Sequence, residues 1–278
     1  MEKRINLMKK LENIFLVFLI IGNIFVIGYG TMKDKIDEKK LSILASAEQL
    51  KENKQDLEEQ TKTKEQQQKD KEANYNLYDK LRNGKSISTL IIGDGIAASN
   101  GAEDKRQWYS NLQNWISQTY KVEDKTDMKV HPGGGIDDGI KEYGAGEESG
   151  YDLVILCYGQ NDRQMDIHQW SKKYENMVRE VIAKNPKSDV ILLIESSFQN
   201  YEIIPNAIKK IAQYYGLQYI DMRKVFNDSG TPYNKLSAGI NPNNDGYALY
   251  FKAISNLIDN NVKSEKKINY TAKDILFQ

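Results

Sequence analysis

The chain has little of what most catalytic and cross-linked proteins use. Among its 278 residues there are one cysteine, two histidines and five prolines. A single cysteine, Cys157, excludes an intramolecular disulfide, and its place inside an apolar run reads as a buried thiol. Any histidine chemistry must use His131 or His168. Without a Cys/His cluster there is no metal-ligand spacing, and neither a metal nor a cofactor is expected. Net charge is also missing, because 39 Lys+Arg balance 39 Asp+Glu. That balance argues against a nucleic-acid partner, which needs a basic face. Long hydrophobic runs are absent except for one.

That run is Leu11 to Gly30, uncharged from Ile14 to Tyr29. As a helix it spans roughly 30 Å, about the hydrocarbon thickness of a bilayer. Lys9 and Lys10 flank one end and Tyr29 the other, as interfacial anchors do. A cleaved signal peptide is the rival, but no small-x-small site follows and the run is long for such a segment. The expectation is an uncleaved single-pass anchor in a cell membrane. Residues 1–10 would be cytoplasmic, 11–30 would span, and the rest would be extracytoplasmic. From 31 to 85 Lys, Glu, Gln and Asp dominate. Leu41, Leu44, Leu50 and Leu57 make a broken heptad seam. This segment reads either as a coiled coil that pairs two copies of the chain or as a solvated single-helix stalk.

From 86 to 262 short apolar runs alternate with amphipathic stretches, and 263–278 is a polar tail expected at the periphery. Strands are expected at Thr89–Ile92, Met128–Val130, Leu153–Cys157, Val190–Ile194 and Gln218–Ile220. Helices are expected at Arg106–Tyr120, Trp170–Ala183, Ile204–Tyr215 and Gly246–Asn260. Continuous apolar strands alternating with helices imply an α/β fold, a three-layer α/β/α sandwich around a five-stranded parallel sheet. In such sheets ligands bind outside the carboxyl ends of the strands. There the sequence places Gly93-Asp94-Gly95, a triple glycine at 133–135 after His131, Asn161 with Asp162, and the stretch from Leu236 to Tyr247. Glycine-loop N–H groups and an asparagine amide are donors of the kind that hold a developing oxyanion.

These blocks resemble the SGNH/GDSL hydrolase family over about Lys85 to Asn261. Gly159-Gln160-Asn161-Asp162 matches the family's Gly-x-Asn-Asp, and Ala238-Gly239-Ile240-Asn241-Pro242-Asn243 aligns with its Asp-Gly-x-His-Pro-Asn. The resemblance implies a flavodoxin-like SGNH fold, ester hydrolysis, and an oxyanion hole at Asn161 and a glycine best matched by Gly135, with Gly133 and Gly134 as alternatives. It also implies a serine, an acid and a histidine where this chain has Gly95, Ala238 and Asn241. Glycine has no attacking atom, and an asparagine amide takes no proton near neutral pH. Losing such a triad costs on the order of a millionfold in turnover. A rebuilt dyad would have to pair Ser99 with His131 or His168; otherwise Ser99 caps a turn and the histidines are exposed loop residues.

Several readings follow. The first is a membrane-tethered pseudoenzyme whose cleft binds a cell-surface glycan or acylated ligand, a ligand class implied by the resemblance to bacterial surface members. The second is an esterase or O-acetyltransferase with displaced catalytic groups. The third is an interaction protein whose stalk is the active part. The three substitutions are also what a deliberate knock-out would carry.

Overall fold

The structure, a computed structural model, describes residues 2–144, 146, 149–270 and 274–277; within the first helix it omits the side chains of 2–7, 9, 10, 27, 28, 30, 31, 33–37, 43, 45, 47, 52, 55, 56, 58–60, 65 and 69. The chain forms two compact units, Met1–Ala73 and Asn74–Gln278.

The first unit is one helix, α1 (Glu2–Glu72). It runs through both the expected anchor and the expected stalk. Leu41, Leu44, Leu50 and Leu57 are 66–71% exposed along it. Among the described residues, no helix is long and apolar enough to cross a membrane. The expected span, 11–30, includes positions 27, 28 and 30, whose side chains lie outside the described residues.

The second unit starts at Asn74, earlier than the expected residue 86. Asn76 caps α2 (Leu77–Arg82): its side chain accepts from the Asp79 N–H, and Asp79 reaches back to the Asn76 N–H. Leu77, Tyr78 and Leu81 are buried, so this turn belongs to the globular core. Then come β1 (Ile87–Gly93), α3 (Trp108–Tyr120), β2 (Asp124–Val130), α4 (Ile136–Gly144), β3 (Leu153–Cys157) and α5 (Ile167–Lys184). They are followed by β4 (Asp189–Ile194), α6 (Ile203–Tyr215), β5 (Gln218–Asp221), α7 (Met222–Asp228) and α8 (Tyr233–Leu236). A two-residue ladder of β6 (Ser237–Ala238) and β7 (Asn241–Pro242) leads into α9 (Asn244–Lys263).

The five strands β1–β5 form one parallel sheet in the order β2-β1-β3-β4-β5. The apolar runs are continuous because successive residues feed opposite layers. Ile91, Ile155, Cys157, Ile191 and Leu193 face the core beneath α2, α3 and α9. Leu90, Ile92, Val154, Leu156, Val190, Leu192 and Ile194 face the core beneath α5 and α6.

The tail is fastened rather than peripheral. Tyr270 accepts from the Val190 N–H at 2.8 Å and donates to the Ser188 carbonyl. The N–H groups of Leu276 and Phe277 donate to the buried Glu175 at 2.5 and 2.7 Å.

Candidate functional site

β1 delivers the chain to Asp94 at the carboxyl end of the sheet, where side chains from the ends of β3 and β4 meet it. Asp94 is fully buried. Its Oδ1 accepts from the Ile96 N–H at 2.9 Å, and its Oδ2 accepts from Asn161 Nδ2 at 3.0 Å. The second hydrogen of that amide goes to the Gly134 carbonyl at 2.9 Å. The Gly135 N–H donates to Asp138 Oδ2 at 3.0 Å. Both expected oxyanion donors are thus already held by acceptors of the protein itself.

Asp162 braces the glycine loop. It accepts the Ile136 N–H at the start of α4 and the Trp170 indole N–H at 3.0 Å. A side chain at Gly135 would put a Cβ 2.1 Å from Asp162 Oδ1, which is why only glycine fits there. Burial raises the Asp162 carboxyl above its usual range.

Gly95, Ala238 and Asn241, the positions where the resemblance implies a triad, carry no nucleophile, carboxyl or imidazole. Gly95 is buried, and a Cβ there would lie 2.7 Å from Asn100 Nδ2, so the Asn100 amide covers the place where a side chain at 95 would begin. Asn100 is itself tied down: its N–H donates to the Gly95 carbonyl, and its carbonyl accepts from the Tyr247 hydroxyl at 2.8 Å. Ala238 and Asn241 pair across the β6–β7 ladder. The Asn241 Cβ lies 3.9 Å from where a Gly101 Cβ would be, so the ladder does approach the turn after β1.

The proposed substitutes do not assemble. Ser99 is buried, and its Oγ accepts the Trp108 N–H at 3.3 Å, capping the first turn of α3. His131 is exposed with Nδ1 3.2 Å from Glu142 Oε1. His168 is exposed in the first turn of α5. Among the described residues, Ser99 hydrogen-bonds neither histidine.

Sequence reasoning missed Glu195, which directly follows β4 and is fully buried. It accepts the Gln160 N–H at 2.8 Å, and the Cys157 thiol points to it at 3.6 Å. Asp94, Cys157 and Glu195 place donor atoms within 4.8 Å of one another, a spacing a cation could span. Protons meet the same need. Burial, then the neighbouring Asp94, raises Glu195 well above its usual range. Burial, then the two carboxyls, raises the Cys157 thiol likewise. Burial pushes Asp94 up to about 6. Glu195 therefore carries the proton of the pair. The signal that could have found it is an acid at a strand's carboxyl end, the rule already applied to β1 and β3.

Residues 91–249, more than half of the chain, match the GDSL-like lipase/acylhydrolase family. No curated protein matches the sequence. A two-domain esterase active on acetylated mannans is similar in structure, with 18% identity and a TM-score of 0.58, over 70% of this chain and 55% of that one. The chain thus spans about half the length of that esterase. An acetylxylan esterase from Geobacillus stearothermophilus is similar with 17% identity and a TM-score of 0.52, over 64% of this chain and 96% of that one. At these identities the likeness is one of fold. With the family match over more than half its length and a five-stranded parallel sheet, the chain belongs to the GDSL-like lipase/acylhydrolase family.

Proposed function

We propose that the chain is a membrane-tethered, extracytoplasmic SGNH-type pseudoenzyme that binds a cell-surface glycan or an acylated ligand and does not hydrolyse it. The observation that carries this reading is the state of the would-be oxyanion hole. Gly135 N–H and Asn161 Nδ2 already donate to Asp138, Asp94 and Gly134. Carboxylates stand where a developing negative oxygen would need donors, so they oppose its charge instead of stabilising it. The lack of a nucleophile, acid and base at Gly95, Ala238 and Asn241 points the same way as the engaged donors. The ligand class is supported by the structural neighbours, esterases whose own names give acetylated mannans and acetylxylan. The tether is supported by α1, where described apolar side chains from Leu11 to Val26 are between 49% and 77% exposed. A helix apolar on every side needs lipid or protein around it. The leucines farther along α1 would serve a paired stalk.

The test is turnover of p-nitrophenyl acetate by the full-length protein in detergent. The expected result is no turnover above buffer, and none in Gly95→Ser alone, because Ala238 and Asn241 supply neither acid nor base. Turnover that disappears in Ser99→Ala would establish the second reading, an esterase with displaced groups.

A further inference from the structure

Arg163 stands two positions after Asn161, in the turn that leaves β3. Its guanidinium carbon lies 5.0 Å from the centre of the Phe198 ring and 5.6 Å from that of Tyr201. Those two rings stack on each other 5.6 Å apart at 21°. The Tyr201 carbonyl is fixed in turn by Arg223 Nη1 at 2.9 Å. The seat under the guanidinium is therefore built before any ligand arrives.

Of the five N–H donors of Arg163, one goes to the Ser197 carbonyl. Among the described residues no carboxylate pairs with it. Arg223 shows the contrast, with Asp221 and Glu202 both at 2.7 Å. Ser197 is 8% exposed, and its Oγ has no hydrogen-bond partner. The acids at this end of the sheet are spent on protein donors: Asp94 on Ile96 and Asn161, Asp138 on Gly135, Asp162 on Ile136 and Trp170. An exposed, aromatic-seated cation with open donors beside an unpartnered buried hydroxyl is an incomplete anion site.

We propose that Arg163 is an anion subsite of the carboxyl-end face, taking a carboxylate or phosphate borne on a glycan, with the Ser197 hydroxyl as a second donor. The subsite rests on the glycan-binding reading and narrows it from glycans in general to acidic ones.

Calorimetric titration of the full-length protein in detergent micelles tests it with three probes: tetragalacturonate, sn-glycerol 3-phosphate and neutral mannotetraose. One anionic probe is expected to bind at least about tenfold more tightly than mannotetraose, the size of one charge-assisted pair. Which of the two binds identifies the source of the charge. Arg163→Ala should remove that tenfold gain with its melting curve unchanged. Arg163→Lys should recover part of it, and Ser197→Ala, which leaves the cation in place, should weaken the same probe a few-fold. The gain should shrink as salt rises from 50 to 300 mM. Equal or tighter binding of mannotetraose overturns the subsite and leaves the glycan reading standing. So does an anionic preference that survives in Arg163→Ala. Silence from all three probes also overturns the subsite, while the hydrolysis assay still decides the pseudoenzyme reading on its own.

Discussion

Gly95 and Gly135 are both glycines pressed against a neighbouring side chain, for different reasons. At 135 the neighbour is the Asp162 carboxylate, which holds the start of α4, so glycine is a requirement of the fold. At 95 the neighbour is the far end of Asn100, a group able to swing away. A serine introduced at 95 therefore needs one amide moved, not a loop rebuilt. Glu195 makes a sharper prediction. Its carboxyl is raised above its ordinary 4.5 by burial and by Asp94, so the folded chain binds the proton more tightly than the unfolded chain. Stability from this group is complete below the ordinary value and is lost as pH rises toward the folded value. Asp94, raised to about 6, adds loss of the same sign between its ordinary 3.8 and 6. Glu195→Gln keeps a neutral donor toward Asp94 and an acceptor for Gln160. Its melting temperature should match the parent near pH 4 and exceed it by a few degrees at pH 8, on the scale of roughly 2–4 °C per kcal/mol. A variant less stable at pH 8 than the parent would show that Glu195 is ionised in the fold.

At the scale of elements, the last residues are tied to the rest by one buried acid. Glu175 on α5 receives the Tyr215 hydroxyl and the N–H groups of Leu276 and Phe277. The Phe277 ring also sits 5.0 Å from the Lys210 ammonium. Ending the chain after residue 273 leaves that carboxylate buried with fewer donors. Urea unfolding should show a loss of roughly 1–3 kcal/mol, and Glu175→Gln in the truncated chain should return part of it. The sequence makes the tail look peripheral because the contacts that hold it are backbone N–H groups, which leave no composition signal. Strands β1, β3 and β4 were legible because burial on both faces writes an unbroken apolar run. In β2 only Met128–Val130 could be read. The first half, Asp124 to Asp127, lies at the sheet edge, where β1 is its single strand neighbour, and carries polar residues. Helices α2, α4, α7 and α8 are each nine residues or shorter, too brief for a period of 3.6 to show.

For the whole molecule, the sheet order brings the ends of β1, β3 and β4 side by side, and the β6–β7 ladder returns the chain to them. Singly, glycine and asparagine at strand ends read as turns; the blocks were legible because Gly159-Gln160-Asn161-Asp162 and Asn241-Pro242-Asn243 match whole family motifs. Their wiring was not. Nothing in the spacing says that Asn161 spends its amide on Asp94, that Gly135 spends its N–H on Asp138, or that Asn100 fills the hollow at Gly95. Those facts depend on tertiary approach between segments far apart in the chain. On the proposed reading they close the site of a family fold to acyl chemistry. Intact-mass spectrometry of the full-length protein after incubation with a fluorophosphonate, with a serine esterase labelled in the same tube, tests that claim most directly. The account predicts the unmodified mass for this chain beside a complete shift for the esterase; a phosphonyl adduct on Ser99 or any other residue of the globular unit would contradict it.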